Sequence, residues 1–230
     1  MVIVCCIKKK QFKFNSFDEL YNFEKFNDIT GLRCERCNIR KIELLPKKLL
    51  GFSCSHNQIE KLENLPDSLI ELDCSLNEII KLENLPKNLK KMNCSLNKIT
   101  VIENLPDGLV DFNCSTNEIT EIKNLPKKIK RFNCSANKIK KIEGLPNKMK
   151  EFYCMLNKVL KIEGLPDGLI LFDCSGNNIN KIENLPKKLK IFYCLRNEIS
   201  IIENIPNSLK VLNGYEYIPK IEHPKKQKSN

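Results

Sequence analysis

Hydrophobic and polar positions along this chain of 230 residues follow one pattern that repeats every twenty residues. In residues 49 to 68 the apolar positions are Leu49, Phe52, Cys54, Ile59, Leu62 and Leu65, and Pro66 follows them. Nine cysteines keep this spacing from Cys34 to Cys194, nine prolines from Pro46 to Pro206, and eight asparagines from Asn57 to Asn197. A fixed period of this length is typical of a repeat protein in which each repeat forms one coil of a solenoid.

Each repeat is predicted to contain a short strand, a turn and a return segment. Leu72 and Cys74 point to the core side of the strand, and the residues that alternate with them face solvent: Glu71, Asp73 and Ser75. Asn77 is predicted to turn the chain, because its amide can bond free backbone groups of its own coil and of the next coil. In the return segment the inward residues are Ile79, Leu82 and Leu85, and Pro86 ends any helix.

A single coil is predicted to be unstable by itself, because its few apolar side chains cannot offset the conformational entropy lost by twenty residues. The coils must therefore stack, with parallel strands about 4.8 Å apart in one sheet.

The skeleton of the unit at residues 49 to 68 is L-x-x-L-x-L-x-x-N-x-L with cysteine in the third apolar position, and the pattern resembles the leucine-rich repeat over nine units in residues 29 to 208. The segment Leu85-Pro86-Lys87-Asn88-Leu89 is similar to the short repeats of secreted bacterial effectors. The segment Lys181-Ile182-Glu183-Asn184-Leu185 is similar to repeats of phosphatase-regulating proteins. The richness in Lys, Asn and Ile is similar to repeat proteins of protists and large DNA viruses. The resemblance implies an α/β-type repeat solenoid: an arc with a parallel concave β-sheet and mostly irregular or 3-10 convex segments.

The chain is predicted to have three parts. Residues 1–28 form an N-terminal cap with a short strand at residues 1–7 and a helix from the capping box at Ser16 through about Phe26. Residues 29–208 form nine repeats, and residues 209–230 form the last partial strand, a C-terminal cap and a basic tail. A solenoid needs such caps because its end coils otherwise expose apolar edges.

Charge changes this picture little, although 39 basic residues against 28 acidic ones give a net charge of +11. Lysines of the return segments are followed two residues later by glutamates, as in Lys61 and Glu63, so the two rows neutralise each other. The charge at equivalent strand positions also alternates in sign between adjacent coils, as in Glu71 and Lys91, which favours attraction between strands. Gene duplication of a pair of repeats, forty residues long, explains the alternation equally well. Phosphate-backbone contact through the remaining lysines is the alternative function.

The cysteines at the repeat spacing are predicted to be buried structural thiols, because neighbours in a registered parallel sheet must distort to form disulfides. Cys34 and Cys37 have a zinc-like spacing but lack a second pair or a nearby histidine, so no metal is predicted. Cys5 and Cys6 are not assigned. The two histidines, His56 and His223, suggest no nucleophile pair, and no phosphate-binding loop is present. The chain is predicted to have no cofactor and no enzymatic activity.

Unpaired thiols and a poor signal-peptide pattern after Met1 predict an intracellular protein, cytoplasmic or nuclear in its host cell and not secreted. No apolar run approaches the roughly 20 residues needed to span a bilayer, so no membrane partner is expected. The chain is predicted to be a monomer.

The candidate partner-binding residues lie at outward strand positions in the last coils, where the concave face changes from polar to apolar and aromatic. They are Tyr153, Met155, Leu171, Ile191, Tyr193, Leu195, Val211 and Tyr215. A patch of this extent indicates an interaction surface, unless the C-terminal tail folds back and covers it. The sequence therefore predicts a non-catalytic protein-protein interaction module that binds its partner mainly on the C-terminal half of the concave face. The alternatives are a nucleic-acid-associated protein using its surface lysines, or a scaffold similar to phosphatase regulators.

Overall fold

A computed structural model describes residues 1–213 and 220–222 of the chain. Its helices are α1 (Phe17–Tyr21) and a 3-10 turn (Phe26–Asp28). In chain order its strands are β1 (Ile3–Ile7), β2 (Lys10–Phe14), β3 (Gly31–Arg33), β4 (Gly51–Ser53), β5 (Glu71–Asp73), β6 (Lys91–Asn93), β7 (Val101–Ile102), β8 (Asp111–Asn113), β9 (Glu121–Ile122), β10 (Arg131–Asn133), β11 (Lys141–Ile142), β12 (Glu151–Tyr153), β13 (Lys161–Ile162), β14 (Leu171–Asp173), β15 (Lys181–Ile182), β16 (Ile191–Tyr193), β17 (Ile201–Glu203), β18 (Val211–Asn213) and β19 (Lys220–Glu222). Among the described residues no helix is long and apolar enough to cross a membrane.

In the main sheet one strand from each coil stacks in parallel and in register, and β1 and β2 extend the sheet at its N-terminal end in antiparallel pairing. Its order is β18-β16-β14-β12-β10-β8-β6-β5-β4-β3-β1-β2. Residues twenty apart are paired across neighbouring strands, so that Phe132 lies between Phe112 and Phe152. The return segments are irregular apart from short parallel pairs: β7 with β9, β11 with β13, β15 with β17, and β17 with β19. This arrangement is the parallel-sheet solenoid that the sequence predicts.

The core is a set of columns, because every coil repeats the same inward positions. Five phenylalanines from Phe112 to Phe192 are fully buried, and their ring centroids are 5.4–5.8 Å apart with planes tilted by only 6–8°. The cysteines form a second column, and all nine from Cys34 to Cys194 are buried and free of disulfides. The prediction of buried structural thiols is therefore confirmed for these positions.

The asparagine column ties each coil to the one before it. The Asn117 amide donates to the carbonyls of Cys94, Cys114 and Ser115 at 3.0–3.2 Å, while its Oδ1 accepts the Ile99 N–H at 3.0 Å. Cys94 and Ile99 belong to the preceding coil, so the prediction that the amide bonds the next coil was wrong in direction. The stacking of the coils places each asparagine side chain against the backbone of the turn in the preceding coil.

The N-terminal residues cover the first coil. Strand β1 pairs antiparallel with both β2 and β3, and its Ile3 and Cys5 are buried. Ser16 caps α1 by accepting the Glu19 N–H at 3.1 Å, as the capping box predicts. The helix ends at Tyr21 rather than near Phe26, and β2 was not anticipated.

At the other end, β18 continues the main sheet and β19 pairs with the return strand β17. The predicted cap residues from Gly214 to Pro219 and the basic tail after Glu222 lie outside the described residues.

Candidate functional site

A groove of about 990 Å³ runs over the exposed face of the main sheet from Val4 to Tyr153, and this is the concave face of the solenoid arc. Three rows of side chains follow this face. The first row is Glu71, Lys91, Asp111, Arg131, Glu151, Leu171, Ile191 and Val211. The second row is Arg33, Ser53, Asp73, Asn93, Asn113, Asn133, Tyr153, Asp173 and Tyr193. The third row is Ser55, Ser75, Ser95, Ser115, Ser135, Met155, Ser175 and Leu195.

The third row is less accessible than the sequence suggests. Ser55, Ser75, Ser95 and Ser135 are buried rather than solvent-facing. The Asn93 and Asp73 side chains cover two of them by accepting hydrogen bonds from the serine two residues later. The side chains accessible on this face therefore belong mainly to the first and second rows.

The first row begins as a ladder of alternating charge. Lys91 Nζ lies 2.7 Å from Glu71 Oε1, and Arg131 reaches Asp111 at 3.2 Å on one side and Glu151 at 2.9 Å on the other. The hydrogen bond from Arg131 holds the pKa of the Glu151 carboxyl below its usual range. The attraction between neighbouring coils that the alternating signs predict is present, and these charges are neutralised within the face.

Beyond Glu151 the first row is apolar. Leu171 and Ile191 are half-buried, and Val211 is 39% exposed. In the second row Tyr153 and Tyr193 are half-buried, and the Tyr153 hydroxyl donates to Glu151 Oε2 at 3.2 Å. The charge ladder thus ends at Glu151, which accepts a hydrogen bond from Tyr153, the first of the predicted site residues along the chain.

The predicted site residues are brought together by the register of the last strands. Leu171 pairs with Ile191, and Ile191 pairs with Val211. Met155 and Leu195 occupy the third row beside them and are half-buried. Tyr215 lies outside the described residues. The groove stops at Tyr153, so the other predicted residues extend the exposed face of the sheet past the end of the groove.

The sequence prediction missed Asp173, which lies in the second row between Tyr153 and Tyr193. It is only 8% exposed, and its Oδ1 accepts the Ser175 N–H at 3.0 Å. Burial raises the pKa of its carboxyl above the usual range, against the opposing effect of the hydrogen bond from Ser175. The twenty-residue period puts Asp173 between the tyrosines, but only the packed structure shows that it is buried.

The other candidate groups are the cysteine thiols, and among the described residues they have structural roles. Burial raises the pKa of the Cys194 thiol to about 11, and burial also raises the pKa of inner thiols such as Cys114. These thiols are therefore poor nucleophiles and poor metal ligands. Cys37 contacts the carbonyl oxygens of Val2 and Glu35 through its Sγ. No group of three or more His, Cys, Asp or Glu suited to a metal occurs among residues 1–213 and 220–222.

Comparison with known proteins identifies the fold. No protein-family model and no curated protein matches the sequence. The structure is similar to YopM from Yersinia enterocolitica WA-314, with 27% identity and a TM-score of 0.64 over 80% of this chain and 45% of that one. It is similar to the leucine-rich repeat domain of APL1B, with 18% identity and a TM-score of 0.67 over 89% of this chain and 74% of that one.

A third similar structure is the octameric complex of latrophilin 3, Unc5D and the leucine-rich repeats of FLRT2, with 20% identity and a TM-score of 0.62 over 78% of this chain and 63% of that one. These similarities place the chain among parallel-strand repeat solenoids. More narrowly, its fold is similar to that of leucine-rich repeat solenoids, and the chain spans less than half of the YopM chain that it matches.

Proposed function

We propose that the chain is a non-catalytic protein-protein interaction module that binds a partner on the C-terminal half of its concave face. The observation that carries the proposal is the change of the first row from a charge ladder to Leu171, Ile191 and Val211. Single apolar side chains are common on protein surfaces, but a continuous patch usually marks an interface. Support from the comparisons is that the leucine-rich repeats of FLRT2 occur in a complex with other proteins.

The tyrosines favour the same surface. Tyr153 and Tyr193 present large rings with few rotatable bonds, and tyrosine is enriched among residues that dominate binding energy. By contrast, the first-row charges from Glu71 to Glu151 already have partners within the sheet. A partner gains less from displacing those ion pairs than from covering apolar surface.

We place this module inside the cell and treat it as a monomer. The unpaired cysteines support an intracellular location, because free thiols persist in reducing compartments. The lysines of the return segments give limited support to the nucleic-acid alternative, since several of them pair with glutamates two residues away, such as Lys81 with Glu83 at 2.8 Å.

The test is the double substitution Tyr153→Ala with Tyr193→Ala. A partner captured from the native cell is identified, purified and titrated against both forms of the full chain. We expect the double variant to bind at least about 30-fold more weakly, because even one residue that dominates an interface contributes about 2 kcal/mol or more.

The matched control is Asn93→Ala with Asn133→Ala, which removes two side chains from the same row in the polar half. It should leave affinity for the partner unchanged, and urea unfolding should show that both double variants stay folded. Equal affinity of the tyrosine variant and the parent chain would contradict the proposal. Binding to RNA or DNA that weakens steeply with added salt would favour the nucleic-acid alternative instead.

A further inference from the structure

Asp173 is the only charged residue among the buried residues of the described chain. Carboxylates of the first row have cationic partners, as Glu151 has in Arg131, but no described lysine or arginine lies within 4.0 Å of Asp173. A buried carboxylate without a cationic partner is unfavourable, and proteins normally pair or neutralise such a group. The partner of Asp173 is therefore expected from outside the described solenoid.

The fold does not need this charge. At the equivalent positions of three earlier coils, Asn93, Asn113 and Asn133 accept the same hydrogen bond from the serine two residues later, at 3.0–3.2 Å. Asp173 makes that bond to Ser175 at 3.0 Å. An asparagine at 173 would serve the turn as well, and it would avoid the cost of burying a charge.

The surroundings of Asp173 are suited to a cation. Strand pairing places it directly between Tyr153 and Tyr193, with the half-buried Leu171 and Ile191 beside it in the first row. Strands about 4.8 Å apart put the two tyrosine positions about 10 Å from each other. A cation held over Asp173 thus lies between the two tyrosine positions, and aromatic rings attract a cation that comes within roughly 6 Å of the ring centroid.

We propose that Asp173, Tyr153 and Tyr193 form a pocket that receives an arginine or lysine side chain of the partner protein. The proposal rests on the proposed function and names the chemistry of its central contact. The carboxylate pairs with the incoming charge, the tyrosines flank it, and Leu171 and Ile191 contact its aliphatic stem, which long basic side chains readily bury. Charge complementarity selects this occupant over an acidic or purely apolar one.

The test is a titration of the isotope-labelled full chain with N-acetyl-arginine amide, followed by amide NMR shifts. We expect saturable shifts centred on the Ser175 amide, whose N–H bonds Asp173, and on Tyr153 and Tyr193. N-acetyl-citrulline amide is the neutral analogue and should produce no such shifts. The variant Asp173→Asn should weaken arginine-amide binding about tenfold or more, since hydrogen bonds to charged groups are the stronger ones.

The control variant is Asp73→Asn, which makes the same change in the same row between Ser53 and Asn93. It should leave arginine-amide binding unchanged. Equal shifts with citrulline amide, or equal binding by Asp173→Asn and the parent chain, would overturn the pocket. Replacing Lys225, Lys226 and Lys228 by Gln tests the chain's own tail as the occupant. Arginine-amide binding that becomes tenfold tighter in that variant would overturn the assignment to a partner.

Failure of the pocket and failure of the proposed function are distinguishable with the purified partner. If Tyr153→Ala with Tyr193→Ala abolishes partner binding while Asp173→Asn leaves it unchanged, the concave face is the interface and the pocket is wrong. If Asp173→Asn weakens partner binding about tenfold and Asp73→Asn does not, both proposals are supported. If none of these variants changes the affinity, both are wrong.

Discussion

At the scale of single residues, the column asparagines do more for stability than their polarity suggests. Asn117 is buried and satisfies three backbone carbonyls and one backbone N–H from two coils. Buried backbone groups that lose their partners cost about 1–3 kcal/mol each. One side chain therefore stabilises a whole contact between coils.

We predict that Asn117→Ala lowers the free energy of unfolding by about 3 kcal/mol or more, because it leaves several buried backbone groups without partners. Urea unfolding followed by circular dichroism measures this loss. The control is Asn113→Ala in the same coil, where the side chain is half-buried and accepts one bond from Ser115. That change should cost about 1 kcal/mol or less, and similar costs for both variants would contradict the interpretation.

For Asp173, in contrast to Asn117, we predict that removal of the side-chain charge stabilises the fold. Burial raises its pKa in the folded state, so the folded chain holds the Asp173 proton more tightly than the unfolded chain does. The stabilising contribution of the protonated form is complete below the unfolded pKa and is lost as pH rises through the folded pKa. At neutral pH the charged form is therefore a liability, which Asp173→Asn removes.

We expect Asp173→Asn to raise the melting temperature by a few degrees at neutral pH. The difference from the parent should shrink as pH falls below the raised pKa of Asp173, because the parent side chain is then neutral as well. Thermal unfolding across a pH series measures this, with Asp73→Asn for comparison. A variant less stable than the parent at neutral pH would show that the charge helps the fold.

At the scale of elements, three-residue strands persist because their inward side chains form continuous columns. Phe152 pairs with Phe132 and Phe172 across the sheet and stacks on both rings at 5.6–5.8 Å. The equivalent position in other strands holds Leu72, Met92 or Leu212. The column tolerates apolar side chains of different shape, but loss of a whole side chain would leave a cavity.

We predict that Phe152→Ala costs about 3–5 kcal/mol of unfolding free energy, because it leaves a cavity in the middle of the stack. Phe152→Leu should cost clearly less, since leucine occupies this position elsewhere in the sheet. Guanidinium unfolding compares the two, with Tyr153→Ala on the concave side as the control. Equal losses for all three variants would mean that the column is not the stabilising element.

The N-terminal hairpin shows why one element escaped prediction. Strands β1 and β2 are joined at Lys8 and Lys9, which adopt φ of 45° and 71°. Tight hairpin turns with positive φ usually carry Asn or Gly, so a lysine pair gives no turn signal. The second strand is held by packing, since Phe12 and Phe14 contact Phe23 with ring centroids 5.2–5.3 Å apart.

At the scale of the whole molecule, the stack protects its thiols as one unit. Eleven of the twelve cysteines are buried, and Cys6 alone is half-buried. Burial raises the pKa of the repeat cysteines such as Cys134, so they are protonated as well as covered. Their reaction with a thiol reagent requires opening of coils.

We predict that Ellman's reagent modifies about one thiol quickly in the native chain, because only Cys6 is partly accessible. All twelve should react in guanidinium. The variant Cys6→Ser should remove the fast phase and leave the slow phase unchanged. Several thiols reacting at the rate of Cys6 would show that the solenoid opens far more readily than its packing indicates.

The sequence by itself determined the coil, the inward columns and the rows of the concave face. It could do so because strand side chains alternate and a strict twenty-residue period puts equivalent residues side by side. Tertiary structure decided the rest. In the folded chain the Asn117 side chain bonds the preceding coil, and aromatic packing holds the strand β2 in place. Most of the third-row serines are buried there as well. Tertiary structure also buried Asp173, because burial depends on which neighbours close over a side chain, and a repeat pattern in one dimension does not contain that information.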